Sequence, residues 1–168
     1  MIGDTQLSAT QNILPGGENE LPVPTCICNS IIWMSHLIER YANTRLASFG
    51  LPPALTMPRV RLLMAVAAGT GEQASTRMSD IALDLGVTAR TITTMVDALE
   101  REELIERVPD PNDRRAISLV LTEHGEAVIP SLETALNEIS RAVMTPLAGS
   151  DQESMLNLMT RLIERDAD

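Results

Sequence analysis

Apolar positions along this chain recur mostly every three to four residues and alternate over one short stretch. Ile31, Ile32, Met34, Leu37, Ile38, Tyr41, Ala42 and Leu46 follow the helical period. They predict a first helix from Asn29, as its N-cap, to about Ser48, ended by Gly50, Pro52 and Pro53. Val60, Leu62, Leu63 and Val66 predict a second helix from about Pro58 to Ala68. The stretch "GTGEQASTR" reads as a loop. "MSDIALDLG" and "TARTITTMVDALERE" read as two short helices split at Gly86. "LIERV" (104–108) and "RAISLVL" (115–121) read as strands joined by the turn "PDPND". Ile117, Leu119 and Leu121 then share one face, with Ala116, Ser118 and Val120 on the other. The helical period returns from Glu123 to about Val143, where Pro130 favours a kink, and from Asp151 to about Arg165. Residues 1–25 are polar and aperiodic, with Pro15, Gly16, Gly17, Pro22 and Pro24, and predict an unstructured arm. The expected fold is mainly α with one small β-hairpin, which must lean on the helices because two strands cannot bury themselves.

Composition narrows this picture. Trp33, Tyr41 and Phe49 are the only aromatic residues, so aliphatic side chains must fill the core, as suits helices. No apolar run approaches the length of a membrane span, and the N-terminus lacks a basic start and apolar stretch, so a cytoplasmic protein is expected. Cys26 and Cys28 are too few and too close for a disulfide framework. The formal net charge of −10 argues against diffuse binding to nucleic acid but leaves room for a local basic feature. Arg114 and Arg115, side by side in "DPNDRRAISLVLT" before the second strand, are such a feature.

The segment 78–99, "MSDIALDLGVTARTITTMVDAL", has the spacing of a helix-turn-helix. Ala82 is small where two helices approach, and Gly86 permits the tight turn. Thr88 can cap the second helix, and Ile92 and Met95 face back towards Ile81, Ala82 and Leu85. With Ile92, Val96 and Leu99 inward, the free face presents Arg90, Thr93, Thr94 and Asp97, with Thr91 beside it. Short hydrogen-bonding side chains, methyl groups and an occasional Arg are what a recognition helix offers a major groove. Taken alone, this face favours DNA reading only slightly over a plain solvated face, because helix-turn-helix patterns recur by chance. The hairpin that follows, with two arginines at its tip, makes the arrangement a winged helix, because a wing arginine can enter a narrow minor groove. Asp113, two residues before Arg115, is expected to pair with its guanidinium and fix the tip.

Residues 78–125 resemble the MarR family of winged helix-turn-helix regulators. The resemblance rests on "DIALDLGVTARTITTMVDALE" and "LIERVPDPNDRRAISLVLTEHG", above all the D-P-N-D-R-R-A run and the L-T-x-x-G at 121–125. It implies a homodimer, joined by the first and last helices, that binds a pseudo-palindromic DNA operator, and it matches Asp113 and Arg115 to the family's paired wing residues. The chain departs from the family at Thr94 and Ala98, where basic residues are usual, and at Glu103, where glycine is usual. The implied organisation is an arm over 1–25, an N-terminal dimerisation helix and connection over 26–56, the winged helix-turn-helix over 57–122, and C-terminal dimerisation helices over 123–168. The expected DNA contacts are Thr88, Arg90, Thr91, Thr93, Thr94, Asp113, Arg114 and Arg115.

Trp33, His36 and Arg40, spaced i, i+3, i+7, share a face of the first helix. They form an expected pocket for a small anionic or aromatic effector, in line with the family's response to aromatic acids. Cys26 and Cys28, at the start of that helix, could instead serve a redox-sensing repressor. Zinc held by Cys26, Cys28 and His36 is the weaker reading, and no metal or cofactor is expected. No nucleophile–base pair or phosphate loop is visible, so no enzymatic activity is expected. A winged-helix protein-interaction module that has lost DNA binding is the alternative from another class.

Overall fold

The computed structural model describes residues 26–69, 76–113 and 115–164. The arm expected over residues 1–25 lies outside them. The elements run α1 (Ile27–Leu46), a short 3-10 helix (Ala47–Phe49), α2 (Met57–Ala68), α3 (Met78–Asp84), α4 (Ala89–Arg101), β1 (Ile105–Pro109), β2 (Ile117–Leu121), α5 (Glu123–Met144) and α6 (Gly149–Glu164). This is a mainly helical winged helix-turn-helix. The described residues fall into two compact units: one spans Ala42–Leu136, and the other comprises residues up to Tyr41 together with those from Asn137.

The first unit holds most of the core. Leu62, Leu63 and Val66 of α2 are buried with Ile81 of α3, Ile92, Val96 and Leu99 of α4, and Leu104, Ile105 and Leu119 of the hairpin. Each such side chain contributes roughly 1.5–3 kcal/mol by leaving water. The start of α2 is capped from a distance: Thr56 makes no side-chain cap bond, and the Met57 N–H donates to Asn43 Oδ1 at 2.7 Å. That bond satisfies one of the helix's orphan donors and ties α2 to α1.

β1 and β2 pair antiparallel, with Arg107 opposite Leu119 and Pro109 opposite Ile117. The loop expected before α3 contributes a fragment of third strand, since Arg77 bridges Ser118 and the Leu119 N–H donates to Thr76 O at 2.9 Å. The expected alternation in β2 holds only in part. Leu119 is fully buried, but Ile117 is 39% exposed and Ser118 is buried. Ser118 is inward because its hydroxyl donates to a buried carboxylate, Asp110 Oδ2, at 2.9 Å. Pro130 does not interrupt α5, and its position is exposed to water, which can solvate the carbonyl left without a helix donor.

Glu103, in the turn between α4 and β1, has φ 55°, the left-handed region that disfavours side chains. Its departure from the glycine usual in the resembled family is therefore a strained one. Glu103→Gly is expected to stabilise the fold by about 1 kcal/mol, the relief of strain exceeding the added freedom of the unfolded chain. A urea titration showing no rise in midpoint would count against that strain.

The second unit contains α6, none of whose residues is buried. Gln152 Nε2 donates to Met144 O at 3.1 Å and Leu147 O at 3.0 Å, satisfying a carbonyl at the end of α5 and one in the connection that follows. Among the described residues no helix is long and apolar enough to cross a membrane.

Candidate nucleic-acid interface

The turn into α4 forms as its sequence dictates. Gly86 takes φ 63°, and the Val87 N–H returns to Ala82 O at 2.9 Å. Thr88 caps the helix, its Oγ1 accepting the Thr91 N–H at 3.1 Å. Ile92, Met95, Val96, Ala98 and Leu99 are buried, while Thr88, Arg90, Thr91, Thr93 and Thr94 are exposed. Ala98, only 4% exposed, belongs to the core, so the lack of a basic side chain there takes nothing from the outer face.

Asp97 departs from the expected free face. The Arg107 guanidinium reaches over from β1, donating to Asp97 Oδ1 at 2.7 Å through Nη2 and to Glu100 Oε2 through Nη1. One arginine thus offsets two acids on the outer half of α4. Without it they would repel phosphate.

The wing is organised by Asp110, a residue that sequence reasoning passed over as turn chemistry. Its carboxylate is 6% exposed and accepts five hydrogen bonds. They come from Arg77 Nε at 2.9 Å and Nη2 at 3.0 Å, Ser118 Oγ at 2.9 Å, and the N–H groups of Asn112 at 2.8 Å and Asp113 at 2.9 Å. The Arg77 guanidinium, helped by these N–H and O–H donors, holds the carboxyl well below the usual carboxylate range although burial works the other way. The two N–H donors form the Asx turn that an aspartate opening "DPND" favours. Arg77 is 33 positions away in sequence and has no local signal.

The expected Asp113–Arg115 ion pair is replaced by a backbone contact. Asp113 Oδ1 accepts the Arg115 N–H at 3.0 Å, and Asp113 O accepts the Ala116 N–H at 2.9 Å. Asp113 still fixes the tip, its carboxylate holding the backbone N–H of Arg115 rather than the guanidinium. Arg115 is exposed at the hairpin end. Arg114 lies outside the described residues.

The comparisons with known proteins fit this geometry. Residues 55–117 match the model of the MarR family, which covers α2, the helix-turn-helix and the wing up to the start of β2. Over that segment the chain is similar to the MarR family. Over 76 residues it is 33% identical to the HTH-type transcriptional repressor NicR of Pseudomonas putida, a match covering 45% of this chain and 48% of that protein. The chain therefore spans about half the length of this curated relative. Wild-type apo MarR of E. coli superposes with TM-score 0.70 at 18% identity, over 83% of this chain and 98% of that one. A MepR–DNA complex from S. aureus gives TM-score 0.69 at 22% identity, over 84% and 99%. At these identities both likenesses are of fold.

The structure arranges the remaining expected residues differently from their sequence spacing. In the second unit, a cavity of about 490 Å³ is lined by ten residues of α1 and the α5–α6 corner, among them Trp33, Leu37, Tyr41, Met144, Leu147 and Met155. His36 and Arg40 do not line it. They share a face with Trp33 by spacing, but Trp33 also belongs to the stripe that runs through Leu37 and Tyr41. The pocket expected from Trp33, His36 and Arg40 therefore becomes an apolar one without a cation for a carboxylate.

Cys26 and Cys28 are exposed free thiols. The first helix begins at Ile27 rather than after Asn29. Cys26 takes the capping place, its Sγ accepting the Asn29 N–H at 3.5 Å and its carbonyl the Ser30 N–H at 3.0 Å. Among the described residues no group of three or more His, Cys, Asp or Glu side chains is placed to hold a metal ion.

Proposed function

We propose that this chain is a transcriptional repressor that binds a pseudo-palindromic duplex operator as a homodimer, acting by binding rather than chemistry in the cytoplasm. The observation carrying the proposal is the pairing, within one compact unit, of an exposed Thr/Arg face on α4 with a braced hairpin that ends in exposed Arg115. Residues Thr88, Arg90, Thr91, Thr93 and Thr94 face the major groove and Arg115 the adjacent minor groove, and the sequence adds Arg114 as a further expected DNA contact. A relative named as a transcriptional repressor and a neighbour solved with DNA support the same reading.

Exposed apolar surface supports the dimer. Leu156, Leu158, Leu162 and Ile163 of α6 are 55–72% exposed, and Ile27 and Ile32 of α1 are 77% and 57% exposed. Large apolar side chains left open to water in such number point to an interface, and a single winged helix generally needs a second half-site for operator affinity. The apolar cavity beside Trp33 accepts an uncharged lipophilic or aromatic effector. A titration of such compounds that leaves the emission of this sole tryptophan unchanged would remove the effector from the proposal.

The test measures the oligomeric state of the full chain by sedimentation and its binding to its own upstream region by anisotropy across salt. A dimer is expected, with affinity falling steeply as salt rises. Arg115→Ala is expected to reduce the salt slope by about one per subunit. A lone subunit that ignores every duplex even at low salt would overturn the proposal.

A further inference from the structure

The exposed side chains from Thr88 to Thr94, apart from Ala89, are four threonines and one arginine. All four hydroxyls are already engaged within the helix. Thr88 Oγ1 accepts the Thr91 N–H and lies 2.9 Å from Thr91 Oγ1, so these two hydroxyls bond each other. Thr93 Oγ1 donates to Ala89 O at 2.8 Å, and Thr94 Oγ1 donates to Arg90 O at 3.1 Å. Threonine in a helix has this option because its hydroxyl reaches the carbonyl one turn back. The other branch on each β-carbon of Thr93 and Thr94 is a methyl group, and with the hydroxyl hydrogens committed inward the methyls are what these side chains offer a partner.

In a major groove a methyl and a hydroxyl read different things. A hydroxyl hydrogen-bonds to several base edges, whereas the apolar partner for a methyl there is the C5 methyl of thymine. Arg90 is the only long donor on this stretch, and its fork matches O6 and N7 of guanine. The acids that could accept from the cytosine amino group, Asp97 and Glu100, are already bound by Arg107.

We infer that Thr93 and Thr94 select thymine through methyl contacts, while Arg90 fixes a G·C pair, so that each half-site is a thymine-rich element around one guanine. The inference rests on the proposal that α4 enters the major groove, and it names which groups on that helix carry specificity.

The test begins with selection of duplexes from a random pool by the full-length protein. Thymines in the selected half-site are then replaced one at a time by deoxyuridine, which removes only the C5 methyl. Thr93 and Thr94 are each changed to Val, which keeps a methyl in place of the hydroxyl, and to Ser, which keeps the hydroxyl alone. Circular dichroism checks that the helix is intact. At the contacted thymine the wild-type protein should bind the deoxyuridine duplex about fourfold more weakly per lost methyl contact. Thr→Ser should abolish that ratio and Thr→Val should preserve it. Enriched duplexes indifferent to deoxyuridine, or a ratio lost in Val and kept in Ser, overturn this inference alone. A pool from which nothing is enriched overturns it together with the DNA-binding proposal.

Discussion

Gly125→Ala is expected to destabilise this protein by about 3 kcal/mol or more, read as a lower urea midpoint at unchanged slope. Gly125 lies in the first turn of α5, where a β-carbon would stand 2.0 Å from the carbonyl oxygen of Leu104 and 3.0 Å from its carbonyl carbon. Neither can step aside cheaply. Leu104 is fully buried, its N–H donates to Leu99 O at 3.0 Å, and its carbonyl accepts the Thr122 N–H at 3.2 Å. Thr122 closes the joint by accepting the Gly125 N–H at 3.0 Å while its hydroxyl donates to Glu103 O. Glycine is required here for space, not for backbone freedom, which gives the L-T-x-x-G motif a physical reason. Gly149→Ala is the control: nothing lies within 4 Å of its β-carbon position. That change should be neutral or mildly stabilising. An unchanged midpoint for Gly125→Ala would mean that α5 does not approach Leu104 as described.

Asp110→Asn is expected to weaken operator binding by on the order of tenfold, the worth of one good contact, while α4 stays helical. The carboxylate orients the hairpin tip that carries Arg115, and an amide cannot accept five hydrogen bonds with its NH₂ end. Arg77→Ala should produce much of the same loss. The double variant should lose less than the sum, because the two residues act as one unit. The pair also sets a pH dependence. The folded state takes up the Asp110 proton less readily than the unfolded chain, so its contribution to stability is fully present above the ordinary carboxylate value of about 4. Acid below that value removes the contribution as the folded carboxylate is protonated. Stability curves of the parent and Asp110→Asn should therefore converge towards strongly acid pH. Parallel curves down to pH 2 would sink the assignment.

Features with local causes were legible in the sequence. Gly86, the Thr88 cap and the inward Ile92, Met95 and Val96 follow from turn chemistry and a 3.6-residue period acting over a dozen positions. The strained Glu103 was legible only through resemblance, as a side chain at a position usually given to glycine. Long-range pairing was not legible. A helical wheel puts Asp97 on the outer face, but Arg107 comes from a strand ten residues on and claims it. The loop before α3 gave no sign that Arg77 would meet Asp110, because an arginine's reach says nothing about which acid the fold brings to it. Trp33, His36 and Arg40 do share a face by spacing. Spacing does not say which face has something against it, and the cavity follows the neighbouring stripe through Leu37 and Tyr41.

The hairpin is tethered at two points, by Arg107 in the middle of β1 to α4 and by Asp110 at the tip to the residue before α3. Helix and loop tip therefore behave as the two prongs of a rigid fork. A duplex gripped by both cannot count on the protein to adjust its span. It must shift its own groove offset to fit, so stretches with pliant pyrimidine–purine steps would be held more tightly than stiff ones carrying the same contacted bases.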